Sequence, residues 1–138
     1  MLSIFGLYMA VGAGVIALIF AAALAKRVLK EDQGNDTMKE IGKAIQEGAM
    51  AFLTREYRTL AIFVVVVTII LAIFISVNTS IAYIIGAICS ASTGYIGMSI
   101  AIRANTRTAA ASMSGLNEGL RVAFSSGAVM GVSVVGIG

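Results

Sequence analysis

The sequence has no histidine, no proline and no tryptophan, and a single cysteine, Cys89. Without histidine there is no imidazole base, no histidine-ligated metal and no switch that titrates near neutral pH. One cysteine excludes an intrachain disulfide, and Cys89 lies in an apolar run, as a small buried residue would. Charge is scarce as well: 12% of residues are charged and 59% are hydrophobic, with a mean hydropathy of +0.96. A soluble domain carries about 25% charged residues. The core of a soluble fold could not use this much apolar surface, so the composition is that of an integral membrane protein. The net charge of +3 and pI near 9.3 then follow from membrane orientation and do not call for nucleic acid.

The few charges are segregated. All of them fall in Lys26–Arg58 and Arg103–Arg121, and none in Met1–Ala25, Thr59–Ile102 or Val122–Gly138. Hydrocarbon does not accept charge. The pattern therefore predicts an all-α membrane protein of four transmembrane helices, over about 2–24, 37–75, 81–102 and 120–138. The first run is long for the h-region of a signal peptide, although Ala23-Leu24-Ala25 resembles a cleavage site. Thr37-Met38-Lys39-Glu40 fits a capping box at the start of the second helix. That helix, at about 1.5 Å per residue, would be roughly twice the hydrocarbon thickness, so its amphipathic first half projects into the cytoplasm.

Ser76–Ser80 reads as an uncharged turn, and Arg103–Arg121 as a polar connection. In the third span Gly86, Ser90, Gly94, Gly97 and Ala101 share a face that permits close helix contact. A permeation path along Ser90, Ser92 and Thr93 is the functional alternative. Gly127 and Gly131 form a GxxxG in the fourth span, a further packing signal. That span ends without a polar flank, from which more chain is expected. The two charged stretches hold seven and three Lys/Arg residues. The positive-inside rule therefore places them in the cytoplasm and the amino terminus outside. Asn35-Asp36-Thr37 and Asn78-Thr79-Ser80 match the glycosylation sequon, but one would be cytoplasmic and the other hugs the membrane.

No carboxylate falls inside an apolar stretch, which argues against a rotary-ring subunit. There is no phosphate-binding glycine loop and no zinc-ligand cluster. Two segments say more. One is Gly48-Ala-Met-Ala-Phe-Leu-Thr-Arg-Glu-Tyr-Arg-Thr-Leu60. The other runs from Gly94-Tyr-Ile-Gly-Met through Arg103-Ala-Asn-Thr-Arg-Thr-Ala to Gly127-Ala-Val-Met-Gly131. Together they resemble the amino-terminal region of the membrane-integral, ion-translocating inorganic pyrophosphatases, and the resemblance covers nearly the whole chain.

That resemblance implies a homodimeric pump of roughly sixteen membrane helices, each crossing about 30 Å of hydrocarbon. Such a pump couples hydrolysis of magnesium pyrophosphate on the cytoplasmic side to outward transport of protons or sodium ions, and some members need potassium. Residues 1–138 would be one helical segment, the first four helices of its outer ring, in a prokaryotic plasma membrane. The family's Asp-rich pyrophosphate and Mg2+ motifs lie further along than Gly138, so no catalytic, cofactor or metal residue is assigned here and the piece alone is expected to be inactive. Arg103, Asn105 and Arg107 stand where the third span meets cytoplasm. They either tie the connecting loop to neighbouring helices or are ordinary positive-inside anchors. The alternative function is a complete small membrane protein with a structural or assembly role.

Overall fold

The computed structural model describes residues 1–138 as four helices and no strand: α1 (Leu2–Leu29), α2 (Asp36–Phe74), α3 (Val77–Ser112) and α4 (Leu116–Ile137). All four are long and apolar enough to cross a membrane. The expected count and class hold, and most boundaries move. α1 runs on past residue 24 through Lys26 and Arg27, which suit the negative end of its dipole.

α2 starts one residue before Thr37. Its cap is Asn35, whose side chain accepts a hydrogen bond from the Met38 N–H at 2.9 Å. The capping box on Thr37 is therefore not the device used. Asn35 is as good an acceptor and follows Gly34, whose φ of +89° lets the chain turn into the helix. Between α2 and α3 the connection is tighter than the Ser76–Ser80 turn read from sequence. Ser76 itself caps α3, its Oγ accepting from the Thr79 N–H at 3.1 Å.

The largest difference is at the far end of α3. Residues 103–112, read as part of a polar connection, continue the helix to Ser112. Charge returns there, but the residues are mostly Ala, Arg and Thr with no Gly, and alanine and arginine favour helix. The break comes at Gly115, in a positive-φ conformation. α4 then begins at Leu116 rather than near Leu120.

Packing sets the helices in a row. α3 packs on α4 and α2, α1 packs on α4 and grazes α3, and α1 does not touch α2. The order across the molecule is therefore α2, α3, α4, α1. Contacts at both ends of each pair show that neighbours in the row run antiparallel. Gly42 meets Thr106 and Tyr57 reaches Ala91 between α2 and α3. Gly97 meets Met130 and Gly119 meets Ser112 between α3 and α4. Gly14 meets Gly136, and Glu31 meets Arg121, between α1 and α4.

Only 14 of 138 residues are buried, so most apolar side chains are left for lipid or further protein. Twelve of the 14 are Ala21 and Val28 of α1, five residues from Thr93 to Ala104 of α3, and five from Gly119 to Ser133 of α4; the other two are Leu53 of α2 and Ser80 near the start of α3. On α4 the buried stripe is Gly119, Val122, Ser126, Val129 and Ser133, a three-and-four spacing of one helix face. Gly127 and Gly131 lie off it, with nothing near where a Cβ would stand. The GxxxG signal is thus not used among these four helices. On α3, Gly94 and Gly97 of the anticipated small face are used, whereas Gly86 stands open.

Candidate functional site at the charged rim

Charge gathers where α1 and α3 end and α2 and α4 begin. Arg121 of α4 and Glu31 beyond α1 form the single ion pair, 3.7 Å apart with side chains 61% and 32% exposed. An exposed pair of this kind contributes about 0–1 kcal/mol.

Arg103 and Arg107 lie one turn apart on α3, not in a loop, because the helix runs through them. With Lys39 and Lys43 of α2 they line a cleft of about 650 Å³. Arg107 Nη1 donates to the carbonyl of Arg103 within its own helix, and its Nε is buried without a partner. Burial, and next the neighbouring Arg103, push the Arg107 pKa below its ordinary value. Asn105 is on a different side. It lines a shallow recess with Ile45, Thr108 and Ser126, apart from the two arginines. The structure thus brings Arg103 and Arg107 together and leaves Asn105 out. Sequence reasoning missed Lys39 and Lys43, which join the site only because α2 folds back along α3.

A second cleft, about 420 Å³, holds Glu31, Asp32 and Glu118 beside Arg121, Asn35 and Ser114. No three His, Cys, Asp or Glu side chains converge so as to hold a metal ion. Asp32 already accepts from the Gly34 N–H at 3.1 Å and Glu31 faces Arg121. This donor set does not fit magnesium.

The three hydroxyl residues of the permeation alternative are placed differently. Thr93 donates to the Cys89 carbonyl at 2.8 Å within its own helix. Ser90 and Thr93 line an open groove of about 750 Å³ between α3 and α4, and Ser92 is not part of it.

One register matters for charge. Tyr57 Oη donates to the Ala91 carbonyl at 2.8 Å, and the Tyr57 and Tyr95 rings stand 6.4 Å apart. This sets Arg55, Glu56 and Arg58 level with Ser90–Thr93, about 15–20 Å along α3 from Arg103. Segregation along the chain is therefore not segregation along the helix axes. Three charged side chains of α2 stand level with the uncharged run of α3.

Comparison with known proteins bears on the whole chain. The profile of the family described as inorganic H+ pyrophosphatase matches residues 15–138. The K(+)-insensitive pyrophosphate-energized proton pump of Methanosarcina mazei is 48% identical over 127 residues, covering 91% of this chain and 19% of the relative. The putative K(+)-stimulated pyrophosphate-energized sodium pump of Clostridium tetani is 53% identical over 120 residues, covering 87% of this chain and 18% of the relative. A second K(+)-insensitive proton pump, from Moorella thermoacetica, is 46% identical over 125 residues, covering 90% of this chain and 18% of that protein. The chain spans about a fifth of the length of these relatives. With the match running through α2, α3 and α4 and half of α1, the chain belongs to the inorganic H+ pyrophosphatase family.

Proposed function

We propose that these four helices are scaffold in a pyrophosphate-energised pump that drives protons or sodium ions outward across a prokaryotic plasma membrane. The observation that carries this reading is the similarity of residues 15–138 to that family and to pumps of both ions. Physical chemistry supports the scaffold part. Splitting pyrophosphate between metal ions needs a dense cluster of carboxylates and cations, and such a cluster cannot face lipid without heavy cost. Uncharged helices packed closely through Gly14, Gly97 and Gly136 would insulate it. Magnesium, and potassium if it is required, would be held by other residues of a homodimer. Arg103, Asn105 and Arg107 would support the cytoplasmic rim.

The test uses the full-length protein in sealed vesicles with its cytoplasmic face outward. Magnesium and pyrophosphate should drive proton or sodium uptake, and light scattering of the purified protein should give twice the protomer mass. Absence of pyrophosphate-driven uptake would sink the pump. Hydrolysis of pyrophosphate by residues 1–138 alone would sink the scaffold role while leaving the pump standing.

A further inference from the structure

The cleft between the cytoplasmic parts of α2 and α3 has a chemistry that a scaffold does not need. Four cations enter it, Lys39 and Lys43 from one helix and Arg103 and Arg107 from the other, and no carboxylate lines it. None of the four is in an ion pair, the only one being Arg121 with Glu31. We propose that this cleft binds a phosphate group, presented either by a free phosphate anion or by the headgroup of an anionic lipid.

Three observations support it. Arg107 Nε is a buried donor without an acceptor, and its guanidinium is held in place by the Arg103 carbonyl. An anion in the cleft would relieve the repulsion between Arg103 and Arg107. Planar guanidinium groups suit phosphate oxygens in two-pronged contacts, and Gln46 of α2 and Thr106 of α3 add neutral donors to the lining. Leu29, at the end of α1, and Gln33 also line the cleft. Ordinary positive-inside anchoring requires only that cations be on the cytoplasmic side, as Lys26 and Arg27 are at the end of α1. It does not require four to converge.

The experiment uses the full-length protein in neutral detergent. Radiolabelled orthophosphate is titrated by equilibrium dialysis, and retained phosphatidylglycerol and phosphatidylcholine are counted by native mass spectrometry. One ligand should be lost from the joint variant Arg103→Gln/Arg107→Gln, with affinity down about tenfold or more. The lysine pair at the same positions should recover part of it, and Lys26→Gln/Arg27→Gln should leave it unchanged. Orthophosphate bound elsewhere in the protein is common to all variants and subtracts out. Loss of orthophosphate alone assigns a free anion, and loss of phosphatidylglycerol alone assigns a lipid. Helicity by circular dichroism guards against misfolding, and Lys43→Gln serves as a second variant if the arginine pair does not fold. Equal binding by wild type and both variants, or an equal loss in the Lys26/Arg27 control, overturns the proposal.

Discussion

At the scale of single residues, glycine shows how little composition says about contact. Gly12 and Gly14 are one turn-half apart on α1, yet a Cβ on Gly14 would lie 2.9 Å from the Gly136 carbonyl oxygen, whereas one on Gly12 would meet nothing within 4 Å. Gly14→Ala should therefore push α1 off α4 and cost about 1–3 kcal/mol. Gly12→Ala should be neutral or stabilising by up to about 1 kcal/mol, through helix propensity. Thermal unfolding followed by circular dichroism in detergent separates the two, and a cost at Gly12 as large as at Gly14 would show that α1 does not cross α4 there. Tyr57→Phe removes the bond to the Ala91 carbonyl but keeps the ring against Tyr95. It should cost about 1 kcal/mol, and an unchanged melting temperature would count against that bond.

At the scale of elements, the caps decide where helices begin. Asn35 holds the first turn of α2, so Asn35→Ala should destabilise by about 0.5–2 kcal/mol. Thr37→Ala should have a much smaller effect, and the opposite order would restore the capping box. These details were half legible. The polar run before α2 announced a helix start, but Asn35 and Thr37 are both good cap residues, and the choice depends on the turn at Gly34. The extension of α3 through Arg103–Ser112 is not legible in the sequence, because returning charge does not say whether a helix ends. Charge marks exposure to water, whereas helix ends are set by groups such as Gly115 that release the backbone.

At the scale of the whole molecule, the row α2, α3, α4, α1 fixes what each helix leaves uncovered. α2 has one neighbour, and Arg55, Glu56 and Arg58 stand exposed beside the uncharged part of α3. A charge at that level needs water, a headgroup or a partner. With Cys89 replaced by Ser, a cysteine at Arg58 should react more slowly with a membrane-impermeant thiol reagent on the cytoplasmic side than one at Arg103. It lies about 20 Å further from the rim along the helix pair. Equal rates would contradict the register set by Tyr57 and Ala91. Arg121→Gln should cost little, about 0–1 kcal/mol, and less in high salt, because its pair with Glu31 is solvated. A cost that salt does not reduce would mean that Arg121 acts through packing.

The sequence alone determined the class and the family. Segregated charge and apolar runs longer than the hydrocarbon is thick leave helices as the way to satisfy the backbone in lipid, and the Gly48–Leu60 and Gly94–Ser112 segments carry the resemblance. Tertiary structure decided which helix lies beside which, in what register, and therefore that Lys39 and Lys43 meet Arg103 and Arg107 and that Gly127 and Gly131 do not meet a neighbour. The physical reason is that periodicity names a face but not its partner. An apolar face is equally content against lipid or another helix, and only close approach in three dimensions distinguishes the two.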